Sequence, residues 1–167
     1  MTGVAVREAR PDELDAAGAI VADAYNAQGG LDADHLDYLD EIRDARGRSN
    51  VCPILVAVEE GSGALLGCVT YVPGAGNPFA ELERDDEAGF RMLGVAPAAQ
   101  GRGAGEALVR ACIARARTAG RSGIAISTAP EMQAAHRLYE RLGFCRAADR
   151  DFDPVPGVHL IAYVLAL

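Results

Sequence analysis

The residues whose types and spacing could do chemistry lie together in Gln100-Gly101-Arg102-Gly103-Ala104-Gly105. Glycines at alternate positions remove the Cβ atoms that would hold a ligand away from the backbone. Glu106 to Thr118 follows, rich in Ala, Leu and Arg and free of Gly and Pro, and reads as a helix. The first turn of a helix points N–H groups without intrahelical partners out of its N-terminus, where the helix dipole adds partial positive charge. This is an anion site suited to a phosphate or pyrophosphate. A plain tight turn accounts for the glycines equally well. The P-loop pattern G-x-x-x-x-G-K-[ST] is excluded, because all sixteen basic residues are arginine and lysine is absent. The dinucleotide pattern G-x-G-x-x-G/A fails as well. Its third small residue falls on Glu106 counted from Gly101, and on Leu108 counted from Gly103.

The elements that must position this loop are readable on both sides of it. Phe90 to Val95 is an apolar strand closed by Pro97. Val4 to Arg7 reads as a first strand, and Arg10-Pro11-Asp12-Glu13 starts a helix reaching about Tyr25, with Leu14, Ala17, Ile20 or Val21, and Ala24 inward. Gln28-Gly29-Gly30 breaks it. A second helix runs from near Asp34 to Arg46 with Leu36, Leu39 and Ile42 inward. Its acidic surface of Asp37, Asp40, Glu41 and Asp44 reads either as a solvated face or as a field that draws in a cation. Ile54 to Glu59 and Ala64 to Val72 form a hairpin around Glu60-Gly61-Ser62-Gly63, apolar enough for both faces to be covered. Pro73 to Glu87 is a long connection of the kind that is often functional. After the helix at 106–118, Ile124 to Thr128 is a strand. Pro130 begins a helix ending at Leu142, with Gly143 just beyond its end and Met132, Ala135, Tyr139 and Leu142 on one stripe. Phe144-Cys145 opens a further strand, Asp149 to Pro156 connects, and Gly157 to Leu165 is the last strand.

With 167 residues, half of them hydrophobic, the chain has the makings of one domain, 1–167. The net charge of −8 argues against a nucleic-acid partner. The exclusive use of arginine reads as genomic composition bias rather than a functional signal. Cys52, Cys68, Cys112 and Cys145 form no C-x-x-C pair, and each sits in an apolar run, so buried thiols in a reducing cytoplasm are expected. His35, His136 and His159 are lone histidines with no partner pattern, so surface or satisfied polar roles are expected of them rather than catalysis. No apolar stretch reaches membrane-spanning length.

The order Q-x-x-G-x-G from Gln100 resembles the coenzyme A pyrophosphate loop of the GNAT superfamily of N-acetyltransferases. Leu138-Tyr139-Glu140-Arg141-Leu142-Gly143-Phe144, one strand further on, resembles the L-Y-x-x-L-G-F signature of the same superfamily. Two motifs in the right order are far more specific than either alone, and the coarse element order agrees along the whole chain. The resemblance implies an α/β (α+β) GNAT fold: a mixed central sheet of six to seven strands, its central strands splayed, flanked by about four helices. It further implies acetyl-CoA as co-substrate, without a metal. Leu93, Gly94 and Val95 would run along the pantetheine arm, with the Val95 N–H or a neighbour's polarising the thioester carbonyl. Gln100, Gly101, Arg102, Gly103, Ala104 and Gly105 would hold the pyrophosphate, and Thr128 and Met132 would complete the coenzyme contacts.

Tyr139 takes the place of the tyrosine that protonates the departing thiolate in many relatives; a core tyrosine on the helix stripe is the alternative. The chain departs from the pattern twice. Met132 stands where many relatives carry Asn, and Gly89 stands where relatives often carry the glutamate that takes the amine's proton. The nearest carboxylate on that strand face is Glu87, with Asp85 beyond it and Arg91 sharing the face, so the base is Glu87 or a chain of waters. The expectation is a cytoplasmic N-acetyltransferase in which an amine attacks acetyl-CoA directly. The acceptor is a small-molecule or protein amine, with a cation favoured by Asp37, Asp40, Glu41 and Asp44 together with the acidic residues from 81 to 87. Homodimers are common among relatives, and the sequence leaves that state open. The rivals are a CoA-binding module without chemistry, which Gly89 and Met132 favour, and an acyltransferase using another acyl-CoA.

Overall fold

A computed structural model of the chain describes residues 3–27 and 36–167. The residues divide into two compact units, Met1–Tyr71 with Met92–Cys112, and Val72–Arg91 with Ile113–Leu167. In the first unit, β1 (Val4–Glu8) pairs antiparallel with β2 (Ile54–Glu59), placing Val6 opposite Ala57. β2 pairs antiparallel with β3 (Leu65–Val72) through a register shift at Ala57/Val58, and both strands are buried nearly throughout, as their apolar runs predict. The second half of β4 (Glu87–Val95) follows β3 in the strand order. Helix α1 (Leu14–Ala27) buries Leu14, Ala17, Val21 and Ala24, one face at helical spacing. With Ile42, Ile54, Val56, Cys68 and Met92 this face builds the core of the unit.

The expected single helix from Asp34 to Arg46 is two: α2 (Leu36–Arg43) and a short α3 (Ala45–Arg48). The break is at Asp44, whose carboxylate accepts the Gly47 N–H at 2.9 Å and so caps the second helix. Arg48 is buried, and its guanidinium donates to the α2 carbonyls of Glu41 (2.6 Å) and Ile42 (2.8 Å) and to Thr70 Oγ1 (3.0 Å). The guanidinium thus adds donors to carbonyls in the last turn of α2, of which that of Glu41 also accepts the Asp44 N–H at 3.2 Å. Asp40, Glu41 and Asp44 are exposed. The predicted break at Gln28 to Gly30 and His35 lie outside the described residues, as does the side chain of Asp37.

In the second unit, the first half of β4 pairs parallel with β5 (Gly123–Thr128) at two positions, Glu87 with Gly123 and Ala88 with Ile124. β5 pairs antiparallel with β8 (Val158–Ala166), which also pairs with β6 (Cys145–Arg146) and β7 (Phe152–Val155). β7 lies within the segment expected as a plain connection, where Pro154 disguises it. Helix α5 (Gln133–Arg141) begins three residues after Pro130, and Gly143 past its end has a left-handed φ of 99°. Helix α4 (Ala104–Thr118) runs from the first unit into the second, burying Leu108, Val109, Cys112 and Ala116. Among the described residues there are eight strands and five α-helices, a mixed α/β architecture. No helix among them is long and apolar enough to cross a membrane.

Candidate functional site

The glycine loop begins where β4 ends. After a 3-10 turn at Pro97–Ala99, Gly101 and Gly103 take φ of 82° and 81°, left-handed values that side chains resist, and α4 starts at Ala104. A Cβ placed on either glycine meets no atom within 4 Å, so the outer side of the loop is open to a ligand. The open side, the two glycine conformations and the head of a 15-residue helix together fit a pyrophosphate. Arg102 turns its guanidinium to Glu59 on β2, 2.8 Å away, which leaves anion binding at the loop to the backbone. Just upstream, Leu93 and Val95 are half-buried while Gly94 is buried against α1, its Cβ position 2.8 Å from the Val21 Cα. Met92 holds a φ of 55°, a left-handed turn within a strand at a residue that is not glycine. The sequence carries no signal for it.

In the second unit Tyr139 is buried on α5 among aromatic rings, with centroid distances of 5.8 Å to Phe90, 5.7 Å to Phe144 and 6.1 Å to Tyr163. The Tyr163 hydroxyl donates to Glu140 at 3.1 Å, and burial, with this carboxylate behind it, pushes the phenol pKa up. Thr128 ends β5 with its hydroxyl 3.4 Å from His136 Nε2, which also reaches the Ala129 carbonyl oxygen at 3.0 Å. His136 lies 5.5 Å from the Tyr163 ring, so the histidine links Thr128 to the aromatic group around Tyr139. Met132 stands at the N-cap of α5, half-buried. His159 is exposed and bonded to Asp153 at 2.7 Å.

Glu87 is buried at the start of β4 and held by Arg150 through both carboxylate oxygens, at 2.7 Å and 3.0 Å. The Arg84 N–H adds a third bond at 2.9 Å. Arg150 above all keeps the Glu87 carboxyl below the usual carboxylate range, against the opposing effect of burial. Two carboxylates on the approach to β4, read from the sequence only as part of an acidic field, have defined partners. Glu81 pairs with Arg91 at 2.9 Å and accepts from Ser127 at 3.3 Å. Glu83 lies against Gly89 and carries a raised pKa, chiefly from burial. The signal was present as four carboxylates at 81, 83, 85 and 87, but spacing alone does not say which pair with arginine.

Of the residues the sequence singled out, Leu93 to Val95 and Gln100 to Gly105 belong to the first unit, and Glu87, Thr128, Met132 and Tyr139 to the second. Cys52, Cys68 and Cys112 are buried, and burial pushes the Cys68 thiol up to about 12. Cys145 departs from expectation by being exposed, on the two-residue β6. Among the described residues no group of three or more His, Cys, Asp or Glu side chains is arranged to hold a metal ion.

Comparison with solved structures places the fold. A GNAT-family acetyltransferase from Staphylococcus aureus Mu50 matches with a TM-score of 0.73 at 15% identity, covering 99% of each chain. A PaiA N-acetyltransferase from Thermoplasma acidophilum, in complex with coenzyme A, matches with a TM-score of 0.73 at 13% identity, again over 99% of each chain. The Salmonella typhimurium protein yncA, whose structure holds its cofactor acetyl-CoA, matches with a TM-score of 0.62 at 20% identity, over 99% of this chain and 94% of that one. A search of curated proteins finds no significant sequence match. The model of the acetyltransferase (GNAT) family matches residues 19–144, a span that includes the hairpin, β4, the glycine loop and Tyr139. The chain belongs to the GNAT family of acetyltransferases.

Proposed function

We propose that the chain, as one GNAT domain over residues 1–167, is an acetyl-CoA-dependent N-acetyltransferase that transfers the acetyl group to a primary amine by direct attack. The observation that carries this reading is the open glycine loop at the head of α4, with Gly101 and Gly103 in left-handed conformations and nothing filling the space outside them. Acetyl-CoA supplies an activated carbonyl and a thiolate leaving group. Gln100 to Gly105 hold the pyrophosphate through main-chain amides. Leu93, Gly94 and Val95 present backbone groups to the pantetheine arm, and the Val95 N–H or a neighbour's draws electron density from the carbonyl oxygen. Thr128 and Met132 add contacts to the coenzyme. Tyr139 gives its phenolic proton to the departing sulfur. The family resemblance supplies these roles.

Calorimetry tests the central claim. Acetyl-CoA should bind the native protein and raise its Tm by mass action. Gly103→Asp places a side chain and a negative charge on the open side of the loop, and should weaken binding more than tenfold while circular dichroism stays native. Absence of binding at millimolar acetyl-CoA sinks the reading. Binding without release of free thiol across a panel of amines would favour a CoA-binding module without chemistry.

A further inference from the structure

An amine can attack a thioester only after it loses a proton, and an alkylammonium with a pKa near ~10.4 keeps that proton at neutral pH. Some group on the protein or a solvent chain must take it. Glu87 is poorly built for the task. Both of its oxygens are bound by Arg150 and one also by the Arg84 N–H, so a proton would have to displace an arginine.

Glu83 is built in the opposite sense. It is half-buried, so solvent reaches it, and among the described residues no basic side chain pairs with it. One oxygen accepts the Glu81 N–H at 2.6 Å. The other rests against the Cα of Gly89, occupying the place where any side chain at 89 would begin. The same point lies 2.8 Å from the Ala125 carbonyl oxygen on β5. Gly89 and Ala125 are the first residues beyond the two rungs that join β4 to β5. The carboxylate therefore stands at the notch where the parallel ladder ends, and it can stand there only because residue 89 has no side chain.

The charged groups around it are accounted for. Glu81, on the same loop, disfavours a second negative charge, but is itself paired with Arg91 of β4 and bonded to Ser127 of β5. Arg150 feels Glu83 but spends its hydrogen bonds on Glu87 and the Leu82 carbonyl. What dominates is burial, which raises the proton affinity of Glu83 above that of an ordinary glutamate, against the backbone hydrogen bonds that lower it.

Resting on the acetyl-transfer reading, we propose that Glu83 is the catalytic residue that accepts the proton of the acceptor amine. The ammonium gives one proton to the Glu83 carboxylate, and the freed nitrogen lone pair forms the N–C bond to the acetyl carbon. The C–S bond breaks with its electron pair on sulfur. The second nitrogen proton balances the one taken up by the thiolate, so the products are amide, free thiol and one proton that Glu83 returns to solvent.

Two measurements test this. In the protein without acetyl-CoA, ¹³C NMR of labelled glutamate carboxyls, with Glu83 assigned by Glu83→Gln, should find it titrating above ~4.3, the ordinary glutamate value. The second is the pH profile of kcat/KM with acetyl-CoA and spermidine, Nα-blocked lysine, tobramycin or glutamate as acceptor. Wild type should show an acid limb at the pKa that NMR finds. Glu83→Gln should lower kcat/KM roughly 10²–10⁴-fold and erase that limb, leaving a rise toward the amine's own pKa, with unchanged acetyl-CoA affinity and Tm. Glu83→Asp should keep the limb at reduced rate. A Glu83 carboxyl titrating at or below the ordinary value overturns the proposal, as does a Gln variant that matches wild type on an amine wild type acetylates. If wild type acetylates none of the four, the transfer reading itself fails and Glu83 loses its role with it.

Discussion

Tyr139 is buried among aromatic rings, and the acid role proposed for it rests on its hydroxyl alone. Its ring packs against Phe90, Phe144 and Tyr163, contacts that a phenylalanine at this position would keep. Tyr139→Phe should slow single-turnover acetyl transfer roughly 10²–10⁴-fold while acetyl-CoA affinity and Tm change little. A Phe variant as fast as wild type would return Tyr139 to the core and leave solvent to protonate the thiolate. The tyrosine was legible from the L-Y-x-x-L-G-F run. Its cage was not, since Phe90 and Tyr163 come from strands far away in the chain. The carboxylates before β4 show the same limit. Glu83 and Glu87 look alike in sequence, yet one gains proton affinity from burial and the other loses it to Arg150, which enters from beyond β6.

At the scale of elements, β4 is the demanding piece. Its second half meets α1 through Gly94, and a methyl group there would stand 2.8 Å from the Val21 Cα and 3.3 Å from the Ala24 Cβ. Backbone cannot step aside as a flexible side chain can. Gly94→Ala should therefore destabilise by about 1–3 kcal/mol, read as a Tm lowered by several degrees in calorimetry. A stability equal to wild type would show that α1 is free to shift. Sequence periodicity gave α1, α4, the β2–β3 hairpin and β8 closely, because each repeats one pattern over enough residues to register. It failed at Asp44, where the helical pattern runs on but a carboxylate caps a new helix. It failed again at Met92, whose left-handed backbone is imposed by tertiary structure at a residue with no preference for it.

The whole molecule carries a net charge of −8, so its response to acid depends on which carboxylates the fold holds ionised. Glu13 accepts Arg7 at 2.7 Å and 2.9 Å and the Arg10 N–H at 2.9 Å, and these bonds, the arginine's foremost, bring it down to about 2. A carboxyl depressed on folding stabilises above its unfolded pKa, and that contribution drains away as pH falls from about 4.5 to about 2. Glu13→Gln should be less stable than wild type near neutrality, by about 0.5–1 kcal/mol given solvent screening. The gap should close toward pH 2 in urea titrations. A gap that persists in acid would assign the loss to packing instead.

The partition of the chain has a consequence for the order in which the protein can be made. The first unit leaves off at Tyr71 and resumes at Met92, so the early strands must wait for β4 and the head of α4 to be synthesised before their core is whole. The second unit waits longer. β8 is its hub, bonded to β5, β6 and β7, and it is the last strand in the sequence. On the ribosome, β5 therefore emerges well before the strand that covers its edge, with a row of unpaired backbone amides and carbonyls and an apolar sequence. Vectorial synthesis leaves that edge open until β8 follows it.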